Sequence, residues 1–123
     1  MLKGIGTDIV ENERFRNKVE DSRFTKKLFT ENEIVYCKSK KTTAHESLAA
    51  RYAAKEAFMK ALGTGYAKGV SFTEIEIQHS ESRAPVISLS GETKEIAKEA
   101  GITQVHLSIS HEKDYSIAFV ILE

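Results

Sequence analysis

The residues best suited to chemistry in this chain are two carboxylates and a lysine that lie in otherwise apolar segments. Asp8 interrupts the hydrophobic segment 4–10, although aspartate is a poor strand residue. Glu56 lies beside Tyr52 and several alanines in a segment that is apolar almost all round as a helix, and Lys60 follows it by one turn. Two carboxylates and phosphate oxygens together suit Mg²⁺, and a lysine supplies a point charge for phosphate. This set therefore predicts a site for a metal ion and a phosphate group.

Ordinary structural roles stay open for the same residues. Asp8 could cap the helix that follows the first strand. Glu56 and Lys60 could form a helix ion pair worth about 0.2–0.5 kcal/mol. The turn after this helix, at Gly63 and Gly65, could be a helix C-cap with a loop glycine, or a loop that lets the backbone lie close to a phosphorylated ligand.

The C-terminal part of the chain contains two histidines in a segment of alternating polarity. His106 shares the polar face of a predicted strand with two serines, and His111 lies at its end. Polar strand faces normally meet solvent, but phosphate binding or proton transfer is the alternative for these histidines. The four histidines and the single cysteine lack zinc-ligand spacing, and no serine-hydrolase elbow occurs.

Positive charge is enriched after the first strand. Arg14 and Lys18 are four residues apart and would share one face of an α-helix. Acidic residues dilute this basic run, which favours a solvated helix or a docking face for an acidic partner and argues against nucleic acid as a ligand.

Length and composition predict a single soluble domain over residues 1–123. The chain has 123 residues, 41% of them hydrophobic, and 18 basic residues balance 18 acidic ones. The single Cys37 excludes an intramolecular disulfide and suggests a reducing compartment. Because no apolar run reaches membrane-spanning length and residues 1–5 do not resemble a signal peptide, we expect a cytoplasmic protein without a membrane partner.

The elements that must position these residues alternate between strands and helices. The predicted strands are 2–10, 72–78, 85–89, 104–110 and 115–122. The predicted helices are 12–28, broken near 21–22, and 90–100. Between them, a capping box at Thr30 predicts a short helix, and a second capping box at Thr43 predicts a long helix that ends at residue 62. The last two strands are joined so closely that they must be antiparallel. The pattern predicts an α+β fold, with a mixed or antiparallel sheet packed around the long central helix.

Three motifs, in this order and at this spacing, resemble the holo-acyl-carrier-protein synthase family of phosphopantetheinyl transferases. They are Gly-Ile-Gly-Thr-Asp-Ile-Val at 4–10, Arg-Tyr-Ala-Ala-Lys-Glu-Ala-Phe at 51–58 with its continuation to Gly65, and His-Leu-Ser-Ile-Ser-His at 106–111. The resemblance covers essentially the whole chain. The sequence departs from the family at 82–85, where a glycine often precedes the basic residue and proline, and segment 38–45 has no close match.

The resemblance implies a homotrimer with active sites at subunit interfaces and a Mg²⁺ ion held by Asp8 and Glu56. Lys60 and His106 would contact coenzyme A phosphates, and both would be catalytic together with the two metal ligands. Arg51, Gly63 and Gly65 would line the nucleotide, and the unmatched segment 38–45 could carry further nucleotide contacts. Arg14 and Lys18 would meet the acyl carrier protein.

The reaction implied is transfer of 4′-phosphopantetheine from coenzyme A to a carrier serine, with release of 3′,5′-ADP, for fatty acid biosynthesis. The acceptor of the serine proton stays open among a metal-bound water, Glu56 and His106. A metal-dependent phosphotransferase acting on another nucleotide and a non-catalytic, trimeric coenzyme A-binding module are the alternative functions.

Overall fold

The computed structural model describes residues 1–63 and 69–123 of the chain. The five strands are β1 (Gly4–Glu11), β2 (Ile75–His79), β3 (Pro85–Leu89), β4 (Val105–His111) and β5 (Tyr115–Leu122). The α-helices are α1 (Ser22–Leu28), α2 (Glu31–Lys38), α3 (Ala44–Leu62) and α4 (Gly91–Glu99), and short 3₁₀ helices span Asn12–Lys18, Lys41–Thr43 and Phe72–Glu74.

Two antiparallel sheets are packed around the 19-residue helix α3. One sheet has three strands in the order β1-β5-β4, and the other pairs β2 with β3. Most side chains of α3 are buried, as its nearly uniform apolar composition predicts. The predicted α+β class and antiparallel C-terminal hairpin are confirmed. None of the helices in the described parts of the chain is long and apolar enough to cross a membrane.

The helix starts are only partly those predicted. At Thr30 both hydrogen bonds of the capping box are present. Helix α3 begins at Ala44, as expected, but the Thr43 side chain does not cap it. Thr43 ends a 3₁₀ helix and its hydroxyl donates to the Lys40 carbonyl, 3.1 Å away, so the predicted second capping box is wrong.

Two other predicted elements differ in type. The segment expected to form a broken helix begins as the 3₁₀ helix Asn12–Lys18, and α1 follows after an N-cap at Asp21. The strand predicted from residue 72 begins at Ile75, after a 3₁₀ turn. In the β2–β3 turn, Arg83 has φ 68°, a left-handed conformation that favours glycine, at the position where the sequence departs from the family pattern.

Strand β1 lies unusually close to α3. A Cβ built at Gly6 would lie 2.7 Å from the Ala61 nitrogen and still closer to the Ala57 carbonyl oxygen. Gly4 meets the Ala61 carbonyl in the same way. The glycines therefore let the strand backbone contact the helix backbone directly, which sets the register between β1 and α3.

We expect Gly6→Ala to lower the free energy of unfolding by about 3 kcal/mol, because its methyl group can be accommodated only by moving the strand or the helix. Gly63→Ala is a suitable control, since Gly63 has φ 81° and no atom of the described residues lies within 4 Å of a Cβ built there. That control should cost only about 1 kcal/mol, from backbone conformation alone. Urea unfolding of both variants tests this, and equal losses would contradict the close-contact explanation.

Candidate functional site

Asp8 and Lys60 are joined across the contact between β1 and α3. Asp8 shares the helix-facing side of β1 with Gly4 and Gly6, because side chains alternate along a strand. The Lys60 ammonium lies 3.0 Å from Asp8 Oδ1 and 3.1 Å from the Thr7 carbonyl oxygen. The Asp8 side chain is 15% exposed and that of Lys60 is 55% exposed, so the pair lies at the protein surface and is open to a ligand.

Glu56 lies one helical turn before Lys60 and completes this group. It is half-buried, and its carboxylate has no hydrogen-bond or ion-pair partner among the described residues. The alternative of a Glu56–Lys60 helix pair is not found, since Lys60 contacts Asp8 instead. Nor does Asp8 cap the following helix, whose N-cap is Glu11. We call Asp8, Glu56 and Lys60 the carboxylate–lysine cluster.

The carboxylate–lysine cluster fits a hard divalent cation that shares its ligands with a phosphate. A half-buried carboxylate without a protein partner is unfavourable unless a cation or several donors satisfy it. Two carboxylates are too few to enclose an ion, and no group of three or more potential ligand residues occurs within 1–63 and 69–123. Mg²⁺ commonly binds through one or two carboxylates, with waters and substrate phosphates as its other ligands.

A separate cleft of about 430 Å³ opens on the other side of α3. Its lining comes from α2, α3, β4 and the β2–β3 hairpin, and includes Tyr36, Lys40, Arg51, His79 and His111. Glu46 is the one carboxylate among its lining residues in the described parts of the chain. The excess of basic side chains favours an anionic ligand.

Arg51 is the most deeply placed cation in this cleft. It is 5% exposed, and its guanidinium carbon lies 4.4 Å from the centre of the Tyr36 ring. One terminal nitrogen donates to Ser47 Oγ at 2.9 Å. The buried Nε–H has no hydrogen-bond partner among the described residues. A buried donor without a partner is costly, which indicates that a ligand acceptor would complete it.

His79 gives the cleft a histidine whose pKa is shifted by its surroundings. Its ring packs against that of Tyr36 at a tilt of 37°, with 5.1 Å between the ring centres. Burial, followed by the positive charges of Arg51, Arg83 and Lys40, lowers the pKa of His79 below its usual 6.5. His79 is therefore neutral at pH 7 until an anion offsets those charges.

His106 lies away from both sites within one protomer. It lies on the outer face of the three-stranded sheet, the face turned away from α3, and forms a cross-strand row with Ile121 and Ile5. Its Nε2 is 2.6 Å from Glu123 Oε1. Its contact with coenzyme A stays a prediction that requires a second copy of the chain. His111, on the helix-facing side of the same strand, lines the cleft.

The basic residues after β1 have different surroundings. The Arg14 guanidinium is 6.0 Å from the Tyr52 ring centre, and the Lys18 ammonium is 5.2 Å from that of Phe24. In a 3₁₀ helix residues four apart point about 120° apart, so the shared face predicted for an α-helix is wrong. Tyr52 and Glu56 are one turn apart on the same face of α3. Because Arg14 lies over Tyr52, it is close to that face.

The glycine turn is described only in part. Gly63 caps α3 in the left-handed conformation, and its N–H donates to the carbonyls of Met59 and Lys60. Gly65, predicted to line the nucleotide, lies outside the described residues.

Part of this cleft was predicted from the sequence, because Arg51 and segment 38–45 were expected to contact the nucleotide. Tyr36 and His79 come from segments without a recognisable motif, whereas phosphate binding was one of the roles left open for His111. Lys55 belongs to the motif at 51–58, but no role was predicted for it, and its partner is Glu33, 22 residues earlier. The capping box at Thr30 was the one available signal that Glu33 would be held in place.

Comparisons with known proteins agree with this architecture. The model of the 4′-phosphopantetheinyl transferase superfamily matches residues 4–120. A holo-[acyl-carrier-protein] synthase of Halothermothrix orenii is 46% identical, over 100% of this chain and 98% of the relative. The crystal structure of the Neisseria meningitidis synthase superposes with a TM-score of 0.89 at 38% identity, over 100% of this chain and 99% of that one. The Helicobacter pylori synthase in complex with coenzyme A has a TM-score of 0.83 at 37% identity, over 97% and 99% of the two chains.

We expect the NMR titration midpoint of His79 to lie below 6.5 and to rise when inorganic phosphate is added. Bound phosphate stabilises the protonated His79 ring. By linkage, the affinity of the protein for phosphate should therefore increase as the pH falls through the His79 pKa. Arg51→Gln removes one repelling charge and should raise the midpoint without phosphate. A midpoint at or above 6.5, or one that saturating phosphate leaves unchanged, would contradict the anion-site assignment.

Proposed function

This chain belongs to the 4′-phosphopantetheinyl transferase superfamily, and we propose that it transfers 4′-phosphopantetheine from coenzyme A to a serine of an apo acyl carrier protein. The observation that carries this proposal is the carboxylate–lysine cluster, in a chain that matches proteins named holo-[acyl-carrier-protein] synthase along its whole length. Its products are holo carrier protein and 3′,5′-ADP. The cytoplasmic location stays a prediction from the sequence.

Asp8 and Glu56 would hold Mg²⁺ at the carboxylate–lysine cluster. The ion, when bound, would withdraw charge from the phosphate oxygens of coenzyme A. Two observations support this assignment. The Glu56 carboxylate has no partner among the described residues, and the side-chain partner of Asp8 is the exposed Lys60, so both can receive a cation without breaking a hydrogen bond to the core.

Lys60 would bind the pyrophosphate directly. Its ammonium is held near the carboxylates by Asp8 and the Thr7 carbonyl, and 55% of its side chain is exposed. The serine Oγ–phosphorus bond forms as the bond from the β-phosphorus to the bridging oxygen breaks, and Lys60 stabilises the charge that develops on the leaving phosphate. The serine proton would pass to Glu56, one of the three acceptors that the sequence leaves open, because its carboxylate has no partner among the described residues.

The cleft on the other side of α3 would receive the nucleotide end of coenzyme A. The Arg51 Nε–H, which has no partner among the described residues, suits a phosphate, as do Lys40 and His111 in the same cleft. The aromatic rings of Tyr36 and His79 offer a surface for a flat base. Gly63 would border the same ligand from the end of α3, as the family resemblance implies.

One protomer does not bring the cleft and the carboxylate–lysine cluster together. Arg51 and Lys60 are nine residues apart, which puts them about 180° apart around α3. Asp8 lies on β1, whereas Ile109, which lines the cleft, lies on β4, two strands away and about 10 Å across the sheet. We propose that each active site combines the cluster of one copy with the cleft of another.

The outer face of the three-stranded sheet supports such an assembly. It is apolar although exposed: Ile5 is 62% exposed, Ile9 59%, Ile117 42% and Phe119 38%. The strand register brings these side chains into adjacent rows. A contiguous apolar face of this kind is typical of an interface between copies, and we propose that it forms the core of a homotrimer. His106 lies in the same face and would contact the neighbouring copy.

The 3₁₀ helix Asn12–Lys18 would meet the carrier protein. Arg14 is exposed and lies over Tyr52, one turn before Glu56, so a partner held by Arg14 would be close to the carboxylate–lysine cluster. Lys18 would extend the basic surface in a different direction. Charge at this rim would mainly speed and orient the encounter with an acidic protein.

Intact-protein mass spectrometry tests the proposed function. An apo acyl carrier protein mixed with this protein, coenzyme A and Mg²⁺ should gain one phosphopantetheine, and a chelator should prevent the gain. No gain with folded protein would overturn the proposal. Binding of coenzyme A without transfer would then identify a binding module.

Glu56→Gln and Asp8→Asn should each lower turnover by at least about 10²-fold, the scale of a lost preorganised charge in an active site. The exposed Glu95→Gln on α4 is a matched control that should leave turnover unchanged. Steady-state transfer rates measure the effect, and near wild-type turnover in either folded variant would show that the metal assignment is wrong.

Arg14→Glu should raise the KM for carrier protein several-fold while the KM for coenzyme A stays close to that of the wild type. Arg16→Glu is the control, because Arg16 already pairs with Glu13 at 2.8 Å and points in another direction. Equal changes in the two KM values, or equal effects of the two variants, would contradict the docking role of Arg14.

Ile117→Lys should convert the assembly into monomers and abolish transfer, because it places a charge in the middle of the apolar sheet face. Val35→Lys is the control, since Val35 is 61% exposed on α2, outside that face. Light scattering coupled to gel filtration gives the mass of each variant. A folded, monomeric and fully active Ile117→Lys protein would refute the shared site.

A further inference from the structure

Glu33 and Lys55 form a buried ion pair that the proposed chemistry does not use. Their side chains are 1% and 0% exposed, and Lys55 Nζ lies 2.6 Å from Glu33 Oε1. The ammonium also donates to the carbonyls of Leu28, at 2.7 Å, and Phe72, at 3.0 Å. All three of its donors are therefore occupied, and it cannot reach a ligand.

The carboxylate of this pair is equally well occupied. Glu33 Oε1 also accepts from the Thr30 backbone N–H at 2.9 Å, and Oε2 accepts from that of Ile77 at 2.8 Å. The pair thus connects the end of α1, the start of α2, the middle of α3 and the strand β2. No other side-chain pair in the described residues joins so many elements.

Stability alone is a weak reason for such a pair. Burial lowers the pKa of Lys55, and the charge of Glu33 opposes that shift only in part. Replacing a buried ion pair by apolar residues is often neutral or stabilising, whereas removing one partner is strongly destabilising. A buried pair with this geometry is better suited to fixing how its elements are arranged.

Three of the elements that the pair joins, α2, α3 and β2, each carry a wall of the cleft. Tyr36 follows Glu33 by three residues on α2, Arg51 precedes Lys55 by one turn of α3, and His79 follows Ile77 by two residues on β2. These walls contact one another. The Arg51 guanidinium lies over Tyr36 at 4.4 Å, and the Tyr36 and His79 rings are 5.1 Å apart.

We propose that Glu33 and Lys55 are positioning residues that hold Tyr36, Arg51 and His79 at the spacing that the nucleotide end of coenzyme A requires. This inference rests on the proposed function, since that function supplies the ligand of the cleft. The pair acts through the walls and has no contact with the ligand itself.

The test compares ligand affinity with thermal stability in Lys55→Met, Glu33→Gln, the Glu33→Gln/Lys55→Met double variant and Glu33→Asp. Calorimetry gives the Kd for 3′,5′-ADP at a temperature where each protein is folded by circular dichroism. We expect Kd to rise about 10-fold or more in each, the scale on which supporting contacts around a site affect its ligand. The double variant buries no unpaired charge and should recover most of the Tm lost in the single variants. It should nevertheless bind 3′,5′-ADP as weakly as they do. In transfer assays KM for coenzyme A should rise while KM for carrier protein does not.

Val120→Ala serves as the control, because it removes buried volume from β5 without touching the cleft and should lower Tm while leaving Kd unchanged. Wild-type Kd in the folded variants would overturn the inference, as would Kd values that simply follow Tm across all five proteins. Failure of the proposed function would be distinct, because the wild-type protein would then transfer no phosphopantetheine.

Discussion

Strand β1 lies so close to α3 that the backbones touch, and the position of the carboxylate–lysine cluster depends on this contact. The absence of a Cβ at Gly4 and Gly6 permits it. Two residues further along the same face, Asp8 reaches Lys60, and the helix repeat places Glu56 beside them. A half-buried carboxylate would normally be paired within the protein. Here Glu56 has no partner among the described residues, and it lies half-buried beside the surface pair of Asp8 and Lys60, where a cation and a phosphate can reach it.

The opposite side of α3 is organised by charge instead of by backbone contact. Lys55, fully buried, fixes α1, α2 and β2 around the helix through Glu33 and two carbonyls. The cleft built from those elements contains a second polar group without a partner among the described residues, the Nε–H of Arg51. One helix thus carries two sites about 180° apart, each with a polar group that a ligand of complementary charge would satisfy. The exposed apolar face of the sheet gives a physical reason for copies to associate and bring the two kinds of site together.

The sequence predicted what depends on local pattern. The α+β class, the capping box at Thr30 and the antiparallel hairpin follow from periodicity and turn residues, and the apolar surroundings of Asp8 and Glu56 marked them as unusual. The cap at Thr43 could not be predicted, because a preceding 3₁₀ turn changes its backbone conformation. The cleft as a whole could not be predicted either, since its walls come from segments up to 75 residues apart, Tyr36 to His111. Alternation put His106 and His111 on opposite faces of β4, but only the packing of α3 decides which face meets the cleft.

The central claim is that an active site requires two copies, one with an intact Glu56 and one with an intact Arg51. Mixing Glu56→Gln and Arg51→Ala proteins, each inactive alone, and refolding them together tests it most directly by the rate of phosphopantetheine transfer. The account predicts recovery to about a quarter of the wild-type rate, because random assembly joins an intact Glu56 to an intact Arg51 at about one interface in four. A mixture that forms mixed assemblies but stays as inactive as its separate components would contradict the shared site.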